Sequence, residues 1–529
     1  MVAVFSLTST TLLALASTAS AFVKLPVLRN DPGNPPLVRR GAFEQNMINN
    51  LTGGGYYAQV GLGTPQQNVT LIVDTGSSDV WVLDKDADLC TDPRLQSQNW
   101  GGCIETSAAV ATVEDNGFGA TFDDKSKSTT YALVTSNSFE IAYLSGEGAS
   151  GDYIKEDFHV GGTIIEGLQM GLAESSDINS GLMGVGFGSS VSASKVYPNI
   201  MDEFADQGLI ETMGYSLWLN DLSSDTGSIL FGAIDTEKFI GSIDVVPIVP
   251  TVDGEYSHFF VAMTKFVIDS PSGEFDDIVI TRAELPVVLD SGTTLSYLPS
   301  SITDVLYEQI NAYDDTSRTG LVYVSCSVID TYPDLRFTFS FADTESRSAA
   351  QISVPAREIV MDNIAFYESL GLRVPGDIPL SDGDVCSLGI HAIDGDGAAS
   401  GGGTVLTDVG ILGDTFLRSA YVIYDLDNKE IGLAQANLNA TDSNIVEMTS
   451  GIPTDATGVS SQAPYTQTSG DSATTDSTGG VSTVTITQAA KSDEESAASS
   501  LDLGGSLRGG IVGVAVLGWM AVGGLMVLL

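Results

Sequence analysis

Two short segments of this chain are near copies of each other, and any fold has to accommodate both. Leu71-Ile72-Val73-Asp74-Thr75-Gly76-Ser77-Ser78 recurs 216 positions on as Val287-Val288-Leu289-Asp290-Ser291-Gly292-Thr293-Thr294. Each is an apolar run that breaks into Asp, a small hydroxyl residue and Gly, which reads as a buried strand turning back on itself. An ionised carboxylate is costly in such a place unless it is hydrogen-bonded or paired. The repeat suggests that Asp74 and Asp290 pair with each other. A single Asp-hydroxyl-Gly tripeptide would be an ordinary turn. Two copies with matched apolar leads and matched hydroxyl followers point to a shared site.

A second pair of segments keeps the same register. Leu182-Met183-Gly184 lies 110 positions after Asp74, and Ile411-Leu412-Gly413 lies 123 positions after Asp290. Two apolar residues and a Gly in each half imply a strand passing close to each Asp turn, with Gly admitting the close approach. The chain is therefore internally duplicated at domain scale.

Pairing two carboxylates has a chemical consequence. At contact distance both cannot ionise, so one pKa falls, the other rises, and the pair holds one proton over a range of acidic pH. One oxygen then takes a proton from water while another donates one to a carbonyl, which is general acid and base catalysis by a single symmetric device.

With these residues go Tyr57-Ala58-Gln59-Val60-Gly61-Leu62-Gly63-Thr64-Pro65, Asp79-Val80-Trp81-Val82, Ser180-Gly181-Leu182-Met183-Gly184-Val185-Gly186 and Ile411-Leu412-Gly413-Asp414-Thr415-Phe416-Leu417-Arg418. From about Tyr56 to Ala436 the chain resembles the pepsin-type aspartic endopeptidases. The resemblance implies a mostly β, bilobal, double β-barrel fold, with an N-terminal lobe over 41–235 and a C-terminal lobe over 236–438. It implies Asp74 and Asp290 as the catalytic dyad. Thr75 and Ser291 brace the dyad, Ser77 and Thr293 are its outer hydrogen-bonding partners, and Gly76 and Gly292 complete the two motifs. Tyr143 matches the tyrosine at the tip of a hairpin flap over the substrate, and Trp81 matches the tryptophan whose indole donates to it. No cofactor and no metal are expected. His159, His258 and His391 show no metal-ligand spacing and no nucleophile partner.

Charge and composition bound the partners. With 68 acidic against 22 basic residues the formal charge is −46, which excludes a nucleic-acid partner because phosphate binding needs basic surface. The expected partners are protein or peptide substrates, and the expected state is a monomer. The acidic excess fits work at low pH, where protonation relieves self-repulsion.

Residues 1–21 resemble a secretory signal peptide, with the apolar stretch Leu12-Leu13-Ala14-Leu15-Ala16 followed by Ala19-Ser20-Ala21. Residues 22–40 read as a propeptide ending at the dibasic pair Arg39-Arg40. Four cysteines in a secreted chain allow three connectivities. Proximity and the resemblance both favour Cys90 with Cys103 and Cys326 with Cys386. Sequons at Asn50, Asn68 and Asn439 fit glycosylated surface positions.

Several segments lie outside a minimal duplicated core. A polar, acidic stretch over about 84–116 reads as a surface insertion. Ile200 to Gln207 and Ile302 to Ala312 have helical spacing, whereas Phe337-Thr338-Phe339-Ser340-Phe341 alternates as a strand does. Residues 439–500, rich in Ser, Thr, Gly and Ala, read as a disordered stalk. Residues 501–529 read as a glycolipid-anchor signal, with small residues before a spacer and an apolar tail from Ile511 to Leu529. This order of segments resembles the yapsin-type, cell-surface aspartic proteases of fungi. A catalytically silent, pepsin-like wall-binding protein is the alternative, although such a protein has no need of two intact Asp motifs.

The flap departs from the family pattern. Leu144 replaces the usual Gly after Tyr143, and Ser145 stands where relatives that accept lysine often carry an acid. Glu147 and Asp152 are the nearest acids left to read a basic substrate side chain.

Overall fold

The computed structural model describes residues 42–49, 55–461 apart from 99–120, 123, 145, 225, 252–253, 271–277, 342–349, 370–373, 381–383 and 394–408, and the short stretch 482–485. The signal-peptide, propeptide and anchor segments lie outside the described residues, as do Asn50 and Cys103. Among the described residues no helix is long and apolar enough to cross a membrane.

The strand Gln67–Asp74 carries the first Asp motif, and its apolar residues Val69, Leu71 and Val73 are buried. It pairs antiparallel with Tyr56–Leu62 and, on its other edge, parallel with Gly181–Gly184, where Ile72 faces Leu182 and Val73 faces Met183. The sheet continues through Val80–Leu83, Thr163–Ser176 and Gly148–Val160, and the last of these returns to Tyr56–Leu62. Six strands thus close a barrel, which leaves no free edge and packs one apolar interior. The flap hairpin, Ala132–Ala142 with Gly148–Val160, extends from it.

The second lobe repeats the plan. Ile278–Leu289 leads into Asp290 and pairs parallel with Gly410–Leu412, Val288 facing Ile411 and Leu289 facing Leu412. Among the described residues its sheet runs from Ala350–Pro355 through Arg336–Phe341 and Phe260–Asp269 to these two strands, and on to Ser296–Leu298 and Ile390–Ala392. The duplicated Gly residues admit the expected close approach. A Cβ on Gly184 would lie 2.6 Å from the Asp79 carbonyl oxygen, and one on Gly413 would lie 2.2 Å from that of Thr293.

A shared sheet joins the lobes. Gly214–Trp218, from the first, pairs antiparallel with Ala420–Asp425, from the second. That pair is flanked by Glu430–Ala436 and Phe239–Pro247 on one side and by Thr226–Phe231 and Phe43–Asn49 on the other. The expected boundary near 235 therefore falls beside a continuous sheet.

The two segments with helical spacing are the helices Ile200–Asp206 and Ser300–Ile310. Asn199 caps the first, accepting from Met201 N–H at 3.0 Å and Asp202 N–H at 3.1 Å while Asp202 accepts from Asn199 N–H at 3.0 Å. Such a reciprocal cap contributes about 1 kcal/mol. The base of the insertion is ordered as the short helices Asp88–Thr91 and Pro93–Gln98, beside an Asp84–Lys125 ion pair at 2.8 Å.

One boundary needs correction. The stalk is expected over 439–500, but residues up to Ser461 belong to the folded body, and the described strand Ser482–Thr485 pairs parallel with Ile278–Thr281. Ile445–Glu447 pairs antiparallel with Ala233–Asp235, and Thr457 and Val459 bridge to Ser242 and Ile240. Met448 is fully buried with Ile234, Phe239 and Tyr421 around it, and Ile452 and Ala456 pack against the same cluster. These few apolar residues could not make a core alone. They suffice here because they add to a sheet that already exists.

Candidate active site

Asp74 and Asp290 stand at the ends of the two lead strands, both fully buried. Their surroundings are matched. Gly76 N–H donates to Asp74 Oδ1 at 2.8 Å, and Gly292 N–H donates to Asp290 Oδ1 at 2.8 Å. Ser77 Oγ donates to Asp74 Oδ2, and Thr293 Oγ1 donates to Asp290 Oδ2 at 2.5 Å. A Cβ on Gly76 would lie 2.6 Å from Asp290 Oδ1, and one on Gly292 would lie 2.3 Å from Asp74 Oδ1. Each turn is therefore pressed against the other lobe's carboxylate.

The turns are also locked together from behind. Thr75 Oγ1 donates to Leu289 O at 2.9 Å and accepts from Ser291 N–H at 2.9 Å. Ser291 Oγ donates to Val73 O at 2.8 Å and accepts from Thr75 N–H at 3.2 Å. Four bonds cross the interface, two from each hydroxyl, and all of them are buried. This explains why the residue after each Asp is Thr or Ser, since a side chain here must both donate and accept.

Burial pushes both carboxyls up, Asp74 to about 6, where the bonds from Ser77 and Gly76 and contact with Asp290 oppose the rise. Asp290 is raised well above the usual carboxylate range, by burial first and by the charge of Asp74 second. The two carboxyls titrate as one coupled pair that shares a proton. Such a pair can take a proton from water at one carboxylate and give one to a peptide carbonyl from the other. The resulting tetrahedral carbon then needs only a proton on the amine nitrogen to break the C–N bond, with no covalent link to the protein.

Tyr143 lies just beyond the end of the flap strand Ala132–Ala142, fully buried, and its hydroxyl accepts the Trp81 indole N–H at 2.8 Å. The turn is closed by Tyr143 N–H to Glu147 O and Gly146 N–H to Tyr143 O, both at 2.9 Å. Burial raises the Tyr143 phenol well above its ordinary pKa, so it stays a neutral donor.

Away from the dyad, Cys326 and Cys386 form a disulfide with 5.1 Å between Cα atoms, and Cys90 is disulfide-bonded as well. Asn68 is exposed on its strand. Asn439 is exposed too, but its Nδ2 donates to Asp221, so a glycan there shares its amide with that bond. Asp152 is not placed to read a substrate charge, since it is buried and accepts Asn137 N–H at 2.8 Å in the flap strands.

Two supporting clusters had not been singled out from sequence. Asp79 accepts from Tyr197 Oη at 2.6 Å and Ser192 N–H at 2.7 Å, tying the segment after Gly184 to the first motif. In the second half, Arg418 is buried with its Nε 3.0 Å from Glu358 Oε2 and its Nη2 2.6 Å from Glu358 O. Asp414 Oδ2, one turn before, accepts Gly55 N–H at 3.2 Å from the first lobe. The four-residue spacing of Asp414 and Arg418 was a usable signal. Glu358 lies 60 positions from Arg418 and carried none.

The eukaryotic aspartyl protease family matches residues 55–436, a span that holds both Asp turns, the flap and the lock between the lobes. The chain belongs to the eukaryotic aspartyl protease family. This aspartyl protease is 36% identical over 423 residues to the probable aspartic-type endopeptidase opsB of Aspergillus fumigatus, covering 78% of this chain and 75% of the relative. It is 30% identical over 399 residues to barrierpepsin of Saccharomyces cerevisiae, covering 73% and 61%. Aspartic proteinase 3 of the same yeast is 30% identical over 514 residues, covering 86% and 81%. Among solved structures, the aspartic proteinase from Irpex lacteus superposes with a TM-score of 0.53 at 21% identity, over 76% of this chain and all of that one, and shares the fold. The protease is an aspartic-type endopeptidase.

Proposed function

We propose that this endopeptidase cleaves proteins at acidic pH outside the cytosol, held at the cell surface by a processed C-terminus, and favours basic residues near the scissile bond. The observation behind the pH assignment is the buried, matched dyad, in which each turn is pressed against the other lobe's carboxylate; two carboxyls this close share a proton as a coupled pair. A formal charge of −46 supports the same setting, because protonation at low pH relieves the repulsion among 68 acids. The apolar N-terminal stretch, the dibasic pair Arg39-Arg40 and the apolar tail from Ile511 to Leu529 support passage through the secretory route and anchoring.

For specificity, a cleft in a chain this acidic favours cationic peptides. With Asp152 committed to Asn137, Glu147 at the flap turn is the candidate reader. The test is cleavage profiling of a peptide library by parent and Glu147→Gln between pH 3 and 7. Acid-side activity blocked by a statine-type inhibitor, with a basic preference that weakens in the variant, is the expected result. Activity that peaks at neutral pH refutes the pH assignment, and an unchanged preference refutes the role of Glu147.

A further inference from the structure

Leu144 follows the flap tyrosine directly. Tyr143 is held back in the first lobe by Trp81, but Leu144 reaches the other way. It is half-buried and packs against an apolar cluster of the second lobe formed by Phe260, Val288, Ile393, Val409 and Ile411. Val288 stands two residues before Asp290, and side chains two apart on a strand share a face, so this cluster borders the dyad on the side of Asp290. Ile411, paired with Val288, stands two before Gly413 and shares that border. The flap thus touches both lobes, through a hydrogen bond on one side and a leucine on the other.

A substrate side chain lying beside Asp290 would meet this cluster at Val288 and Ile411. The cluster is wholly apolar, and Leu144 packs on it together with Val249 and Tyr297 of the second lobe. We propose that Leu144 is a self-docked specificity residue, seated in the apolar site beside Asp290, so that a large apolar substrate side chain has to displace it while a small one leaves it in place. The site accepts leucine-like side chains by shape and polarity, yet its own flap handicaps them. The handicap follows from the apolar contact a half-buried leucine gives up, which corresponds to roughly three- to tenfold in affinity. A glycine at 144 would have nothing to dock. The inference rests on the endopeptidase activity alone and is independent of any basic preference, which concerns Glu147 on the other side of the turn.

The experiment uses the mature enzyme, Leu144→Ala and Leu144→Gly, and four peptides that differ only in Leu or Ala before or after the scissile bond. At one of the two positions, KM for the leucine peptide should fall about three- to tenfold in both variants, with kcat within about twofold of the parent. KM for the matching alanine peptide should stay within about twofold, so that the preference for leucine widens. Three results overturn the proposal, each read on Leu144→Ala, which leaves the flap backbone restrained. They are equal KM changes for both peptides at both positions, a narrowed leucine preference (Leu144 then packs on the substrate), and a fall in kcat at constant KM (Leu144 then only shapes the flap).

Discussion

Thr75→Val is the sharpest perturbation of the lock behind the dyad, because it changes chemistry without changing shape. Valine keeps the methyl and replaces the hydroxyl by another methyl, so no cavity forms. Two buried groups lose their partner, the Leu289 carbonyl and the Ser291 N–H, both now 2.9 Å from Thr75 Oγ1. An orphaned buried donor or acceptor costs about 1–3 kcal/mol, which sets the loss from two of them at about 2–6 kcal/mol. That is a large share of a typical stability of about 5–15 kcal/mol, yet survivable. Ser291→Ala orphans the mirror pair, the Val73 carbonyl and the Thr75 N–H, and should cost the same within about 1 kcal/mol. Urea unfolding of the purified variants measures both losses, and steady-state kinetics on one peptide measures the second effect. Since a 1 Å misplacement of a reacting group costs about 100-fold, kcat should fall by more than the stability loss alone explains. A loss below about 1 kcal/mol for Thr75→Val, or a severe loss for one variant with none for the other, would refute a lock shared evenly between the lobes.

Further predictions concern the rest of the frame. Arg418→Ala leaves Asp414 buried without its neighbouring cation and Glu358 with only the longer Arg357 contact at 3.9 Å, and should cost about 3–5 kcal/mol by denaturant unfolding, whereas a loss under about 1 kcal/mol would show the ion pair to be incidental. A chain ending at Leu438 loses the buried Met448 and should unfold about 2–4 kcal/mol more easily than one ending at Ser461. Because burial raises both dyad carboxyls, the folded chain binds more protons than the unfolded one above about pH 4, so their contribution is full below that pH and is lost as pH rises through about 6. His391, pushed down to about 4 by burial, acts in the opposite sense over the same range, so the dyad's share is the difference in Tm-against-pH between parent and Asp290→Asn. A difference that is flat, or that favours the parent more at pH 6 than at pH 4, contradicts the shift.

What was legible in the sequence was local or repeated. Each Asp turn announces itself within eight residues, and the second copy removes the ambiguity of the first. The Leu182-Met183-Gly184 and Ile411-Leu412-Gly413 segments could be matched to the turns because parallel pairing carries the same apolar register into both strands. The helix at Ile200–Asp206 was visible through its spacing. Contacts that form only when distant segments meet were not legible. Arg418 finds Glu358, Tyr197 finds Asp79, and Leu144 finds the second lobe only after both barrels have closed. The docked stretch 439–461 escaped for a related reason. Its composition is that of a stalk, and its few apolar residues gain stability only against a sheet built by other parts of the chain.

The matched turns predict that Asp74 and Asp290 act as one catalytic unit. Turnover of an acid-denatured protein by purified Asp74→Asn and Asp290→Asn tests this directly. Both variants should show the parent's circular dichroism and cooperative unfolding, and each alone should lose nearly all activity, by about as much as the double variant. Sustained turnover in either folded single variant would contradict the claim.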